Sequence, residues 1–219
     1  MKLLILIPSF NTHKYLSKLL KSINLQTKSD ILVVDDGSSP KLILTSFKDQ
    51  KSILRRNEIN KGKGNVIKDG IEYALDRKYT HLLTVDANLQ YRTGQIKYFL
   101  DESPEIDFLL GFHSLKKPIG IQKKVYSLIT SLIVSLLVDQ KIKDLQCGYR
   151  RYRLEKIKYL NLNESGHLLE SEILLKNINK NSKIKNIKID TIYNGNRSTI
   201  AIFKDAIKFI ELIGRYIFA

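Results

Sequence analysis

A single cysteine, Cys147, stands among 219 residues. An intramolecular disulfide and a cysteine-built zinc site are therefore excluded, and the usage suits a reducing compartment. Long apolar runs are also lacking. The longest uncharged stretch, Val125 to Val138, has 14 residues, short of the roughly 20 that a bilayer-spanning helix requires, so it reads as a core or interfacial helix. The run Leu3 to Pro8 is too short for a signal peptide and is soon broken by polar residues. No internal repeat and no low-complexity linker interrupts the chain. Lys61-Gly62-Lys63-Gly64 lacks the spacing and the hydroxyl of a Walker loop. The four histidines, His13, His81, His113 and His167, show no metal-ligand spacing and read as structural or surface residues, with no His–Asp pair evident.

Acidic residues are the other shortage. There are 22 Asp and Glu against 37 Lys and Arg, a net charge of +15. Such an excess points to a polyanionic partner: nucleic acid, an anionic membrane surface or a phosphorylated ligand. No nucleic-acid-binding module and no basic-aromatic platform is present, so nucleic acid is set aside. A hydrophobic fraction of 43% argues against wholesale disorder, and the length suits one well-packed domain.

What is present is an alternation. Apolar runs at Leu3–Ile7, Ile31–Val34, Ser52–Arg55, His81–Val85 and 106–112 read as strands. Between them, helices are expected over about 13–24, 40–49, 64–77 and 93–101. This order predicts an α/β fold: one domain with a mostly parallel sheet, helices on its faces, and ligands at the strands' carboxyl ends. The rest reads as elaboration of that domain. Basic Lys116 to Lys124 leads into a helix at about 122–139, apolar on most faces. Asp144 to Arg153 is a polar, Gly-containing segment. Glu164 to Asn179 reads as a helix carrying Glu170 and Glu172, and Ile184 to Ile192 as a half-exposed strand. A final helix over about 200–217 sets Lys204, Lys208, Glu211 and Arg215 on one stripe, with Phe203, Ile207, Ile210 and Ile213 opposite.

Three polar clusters, 8–12, 35–39 and 86–90, fall at the same end of successive strands, where packing alone does not call for carboxylates. Asp86, Asn88 and Gln90 alternate, so along an extended chain they project to one side. Oxygen ligands of this kind suit Mg²⁺ or Mn²⁺ and the phosphates such a cation carries; an Asx-type turn is the plainer alternative. Asp36 beside Gly37 is placed to accept hydrogen bonds from a base or ribose, or else to close a structural turn. Lys61 to Gly64 at a helix start offers cations and the positive end of a helix to a diphosphate, or forms a solvated basic turn.

Taken in order, Pro8-Ser9-Phe10-Asn11, Val34-Asp35-Asp36-Gly37-Ser38, the Asn60 to Gly70 segment and Asp86-Ala87-Asn88-Leu89-Gln90 resemble the inverting GT-A glycosyltransferases of family 2. Asp144-Leu145-Gln146-Cys147-Gly148-Tyr149-Arg150, Glu170-Ser171-Glu172 and the Tyr193 to Ser198 segment resemble the dolichol-phosphate mannosyltransferase and glucosyltransferase branch. The resemblance spans about residues 3–200 and implies a single GT-A domain, Rossmann-like. Residues 1–112 would form the nucleotide-sugar half and 113–199 the acceptor half, with an amphipathic helix over 200–219.

It also implies a nucleotide-sugar donor, a divalent cation (Mg²⁺ or Mn²⁺), a polyprenyl-phosphate acceptor and a cytoplasmic, peripheral place on the membrane. Carried over by position, Pro8, Asn11, Asp36 and Lys63 would hold the nucleotide. Asp86, Asn88 and Gln90 would hold metal and diphosphate. Asp144, Arg150, Glu172, Arg197 and Ser198 would line the sugar and acceptor-phosphate side. An acceptor phosphate is already an anion, so the reaction needs no strong base, only alignment and charge neutralisation.

Two departures stand out. Asn88 replaces the family's second Asp, and Thr12 replaces the Glu that commonly follows the first motif's asparagine. Alternatives follow from these facts: the same fold acting on a glycan or protein hydroxyl with Asp144 or Glu172 as base, or a catalytically weakened nucleotide-binding protein. The sequence leaves the oligomeric state open.

Overall fold

A computed structural model describes residues 1–43, 52–87, 93–113, 121–190 and 201–218. Among them run seven strands: β1 (Leu3–Ser9), β2 (Asp30–Asp36), β3 (Ser52–Asn57), β4 (His81–Thr84), β5 (Phe108–His113), β6 (Arg150–Arg153) and β7 (Ile184–Ile189). They form one sheet in the order β3-β2-β1-β4-β6-β5-β7. All neighbours are parallel except β6, which runs antiparallel to both β4 and β5. The helices are α1 (His13–Asn24), α2 (Lys63–Asp76), α3 (Lys97–Leu100), α4 (Ile121–Val138), α5 (Leu169–Asn177) and α6 (Ala201–Ile217). This is the single, mostly parallel α/β domain that the alternation predicts.

The central strands are apolar on both sides because both sides are covered. Leu4 and Leu6 of β1 pack with Ile67 and Ile71 of α2 and with Leu174 of α5 in one core. Ile5 and Ile7 face the other way, into a core with Leu16 and Leu20 of α1 and Phe99 of α3. α2 lies so close to β1 that a Cβ on Gly70 would sit 2.3 Å from a Leu6 methyl. Register then fixes where the polar clusters go. Ser9 pairs with Asp35, and Asp36 with Asn57, while Val85 donates its amide to the Leu6 carbonyl. The ends of β1, β2 and β4 thus share one edge of the sheet.

Three elements depart from the sequence reading. Residues 144–153 are not wholly loop, for Arg150–Arg153 is a strand in the middle of the sheet. Two fully buried arginines disguise it. Arg150 donates to the carbonyls of Leu145, Cys147 and Glu170, and on the opposite face Arg151 donates to those of Phe99, Glu102 and Ser103. Main-chain acceptors take all three nitrogens of Arg150 and both Nη groups of Arg151, leaving only Arg151 Nε without a partner, so the strand carries charge where periodicity expects apolar residues.

The last two involve helices. The helix expected over 164–179 begins only at Leu169, because Asn163 and Glu164 are held outside it by the Glu172 carboxylate. Among the described side chains of α6, Phe209 and Leu212 are buried and Ile213 packs partly against the core, whereas Ile207 and Ile210 face outward; two residues of the expected apolar stripe do not pack inward. The expected helix at 40–49 lies, past residue 43, outside the described residues.

Candidate active site

Asp35 and Asp36, adjacent at the end of β2, point to opposite sides of the strand and do different work. Asp35 is fully buried and accepts from the amides of Ser38 and Leu42 and from the Arg56 guanidinium. Burial alone pushes its carboxyl up, but these donors more than offset that and leave it below the ordinary value. Asp36 accepts from the amides of Lys61 and Gly62 and from the Asn57 side chain, at 2.8–3.0 Å. It therefore organises the segment that leads into α2.

Asn11, at a φ of 54°, ties the end of β1 to that of β2. Its amide donates to Ser38 Oγ, and its side-chain oxygen accepts from the Ser39 amide. Pro8 lies at the same edge, opposite Val34. Gly37, at a φ of 79°, has no room for a side chain, since a Cβ would come 2.8 Å from the Asn60 nitrogen.

Lys63, the first residue of α2, sends its ammonium to the end of β4. Nζ lies 2.8 Å from Asp86 Oδ1 and 3.3 Å from both carboxylate oxygens of Glu170 on α5. Burial would lower the lysine's pKa, but the two carboxylates reverse the sign and hold it charged. Gly148 closes over the pair, for a Cβ there would lie 2.4 Å from Nζ and 2.7 Å from Asp86 Oδ2. The start of α2 is itself partly occupied, since the Asn65 amide donates to the Ser165 carbonyl.

A second cluster sits at the other end of the segment that carries Gly148. Asp144 accepts from His113 Nδ1 at 2.6 Å, from the His113 amide, from Ser127 Oγ and from the Gln146 amide. Burial raises its carboxyl, but its hydrogen bonds, that from His113 foremost, bring it below the ordinary value. The buried Cys147 lies between the clusters. Burial chiefly, with Asp144 and more weakly Asp86, pushes its thiol up.

Of the residues singled out from sequence, Lys63 and Asp86 meet directly, and Asp144 lies on the segment that closes over them. Arg150 stands behind this edge with its guanidinium directed at three carbonyls, a clamp between the 145–147 segment and α5. Glu172 faces away from Lys63 and grips the amides of Asn163 and Glu164 and the Lys176 ammonium. Asn88, Gln90, Arg197 and Ser198 lie outside the described residues. Three participants were named from sequence but not assigned to the site. Glu170 stands two residues from Glu172, on the other side of a helix, and only the topology shows which of the two meets Lys63. His113 meets Asp144 across 31 positions, so a His–Asp pair does exist where none was evident. Gly148 was legible only as part of a motif.

Residues 4–111 match the model of the family described as glycosyl transferase family 2. The chain is a glycosyltransferase, similar over these residues to family 2. An uncharacterized protein of Methanocaldococcus jannaschii is 29% identical over 228 residues, covering 94% of this chain and 98% of that protein. The undecaprenyl-phosphate mannosyltransferase of Micrococcus luteus is 25% identical over 173 residues, covering 74% of this chain and 70% of that one. Among solved structures, the glucosyl-3-phosphoglycerate synthase of Mycobacterium tuberculosis, in complex with Mn²⁺, UDP and glucosyl-3-phosphoglycerate, superposes with a TM-score of 0.75 at 13% identity. That likeness covers 98% of this chain and 79% of that one, and it places the glycosyltransferase in the GT-A fold. The same enzyme with Mg²⁺ and UDP gives a TM-score of 0.74.

Proposed function

We propose that this glycosyltransferase moves a hexose from a nucleoside-diphosphate sugar, UDP- or GDP-linked, to a polyprenyl phosphate, with inversion, at a membrane surface. The observation that carries the donor half is the meeting of Lys63 and Asp86 at the carboxyl edge of the sheet. A lysine and a carboxylate together, roofed by a glycine, suit a diphosphate and its counter-cation. Mg²⁺ is ordinarily held by one or two carboxylates with substrate phosphates completing its shell. Among the described residues no three His, Cys, Asp or Glu side chains gather as a self-sufficient metal site, so Asp86 would share the cation with the donor. The bound cation would neutralise charge on the departing diphosphate. Asn11 and Asp36 would shape the nucleotide side by holding the β1 and β2 ends and the 57–62 segment.

The acceptor half draws on the Micrococcus luteus relative and on α4. That helix turns its hydroxyls inward: Ser127 Oγ donates to Asp144, Ser131 Oγ accepts from the Leu145 amide, and Ser135 Oγ accepts from the Ile142 amide. Val125, Leu128, Ile129, Leu132 and Leu136 are left exposed, one outward stripe at helical spacing. α6 adds Ile207 and Ile210. Apolar faces of this extent on a chain of net charge +15 suit the surface of an anionic bilayer. No helix among the described residues is long and apolar enough to cross one.

The His113–Asp144 pair favours a second reading, transfer to a hydroxyl. Asp144 would orient the imidazole, and His113 would take the hydroxyl proton as the sugar's carbon–oxygen bond to the diphosphate breaks. One experiment separates the readings. Radiolabelled UDP- and GDP-sugars are offered with undecaprenyl phosphate in anionic vesicles, and separately with soluble glycan acceptors. Label entering the lipid fraction, with little loss in His113→Gln, supports the first reading. Label on soluble acceptors alone, lost in His113→Gln, would replace it with the second.

A further inference from the structure

Lys63 has two carboxylate partners where one would neutralise it. Asp86 is the nearer, and Glu170 presents both oxygens at equal distance. The sites differ in access: the Glu170 side chain is 6% exposed against 19% for Asp86. Glu170 is also fixed independently of the lysine, because Arg150 donates to its backbone carbonyl and to those of Leu145 and Cys147. The roof over the pair is glycine at Gly148, and any side chain there would push Nζ and the Asp86 carboxylate apart.

We infer that Glu170 is a positioning residue, a second seat for the Lys63 ammonium that lets Asp86 exchange lysine for a divalent cation when the donor diphosphate arrives. This rests on the reading of the edge as the donor site. An ammonium and a divalent cation repel each other when they compete for one carboxylate. A lysine with Asp86 as its sole partner would have to give up its only counter-ion in a largely buried place, a costly step. With Glu170 already in contact, the ammonium leaves Asp86 while remaining paired. Its other protons are then free to turn to the incoming phosphate. Lys63 is in this account a competitor of the metal and a ligand of the diphosphate, and Glu170 decides the balance.

The test uses the full chain. Mn²⁺ alone is titrated by electron paramagnetic resonance of the free ion, and UDP and GDP are titrated calorimetrically with and without Mn²⁺. Wild type is compared with Lys63→Met, Glu170→Gln and the double variant. Lys63→Met is expected to bind Mn²⁺ more tightly, by about ten-fold, while losing diphosphate affinity by a similar factor. Glu170→Gln is expected to weaken Mn²⁺ by a few-fold to about ten-fold, because the lysine now stays on Asp86. The double variant should regain the tight Mn²⁺ binding of Lys63→Met. A purely structural Glu170 would lower the melting temperature and leave Mn²⁺ affinity unchanged, and that result overturns the proposal. So does Lys63→Met without tighter Mn²⁺ binding, which needs no Glu170 variant to fold. A wild type that binds Mn²⁺ but neither nucleotide would instead refute the donor-site reading, while the Mn²⁺ titrations still decide whether lysine and metal compete.

Discussion

Lys63 Nζ and Asp86 Oδ1 stand 2.8 Å apart, joining the first residue of α2 to the residue that follows Val85 at the end of β4. Chain order does not bring them together; the parallel packing of β1 between β2 and β4, with α2 crossing behind, does. Chemistry at this edge should therefore be separable from stability. Asp86→Ala is expected to lower sugar transfer by at least 100-fold, in the range found when one charge-stabilising group is lost. Its melting temperature should change little, because Glu170 still neutralises Lys63. Retained turnover would remove Asp86 from the site.

Arg150 offers the opposite case. Its guanidinium serves three main-chain carbonyls, and Arg150→Met would leave them unpaired in the core. We expect a loss of about 3–5 kcal/mol, seen as a fall of roughly 10 °C or more in melting temperature. Loss of activity at unchanged stability would instead assign Arg150 to substrate phosphate.

Two glycines separate fold from function. In Gly70→Ala the new methyl meets Leu6 in a close-packed interface, so about 1–3 kcal/mol of stability should be lost while nucleotide affinity per folded molecule is kept. In Gly148→Ala the methyl meets the ends of two flexible side chains, Lys63 and Asp86. They can move apart, so the melting temperature should hold while donor affinity falls. Thermal melting beside calorimetric titration of both variants checks the contrast.

Glu172 should act through pH. Burial raises its carboxyl, but the amides of Asn163 and Glu164 and the Lys176 ammonium together leave it below its ordinary value of 4.5. A carboxyl depressed by folding stabilises the folded state above the unfolded pKa, and that gain is lost as pH falls through the folded value. Glu172→Gln should therefore be less stable than wild type near neutrality, by about 1–3 kcal/mol, and the gap should narrow as pH falls below 4.5. A gap independent of pH would contradict the assignment.

Much of this was legible in the residues themselves. Leu3–Ile7 and Ile31–Val34 announce buried parallel strands because both faces need apolar side chains, and the polar residues after them, Asp35 and Asp36 above all, mark the edge proposed to bind the donor. β6 was not legible, since Arg150 and Arg151 break the apolar pattern and their carbonyl partners come from other segments. Nor was α6's inner face, because an amphipathic helix shows that one side is apolar without saying what lies against it; Ile207 and Ile210 turned outward. Glu170 and His113 were missed for a common reason. Each acquires its role from a partner far along the chain, Lys63 in one case and Asp144 in the other.

The most direct test of the central claim is thermal melting of wild type and Asp86→Ala with UDP, GDP, dTDP and CMP, each with and without Mn²⁺ and Mg²⁺. A ligand at about 100 times its dissociation constant adds roughly 2.7 kcal/mol, a shift of several degrees for a chain of this length. The account predicts a shift with one nucleotide that requires a divalent cation and disappears in Asp86→Ala. No shift with any combination, or an equal shift in the variant, would contradict it.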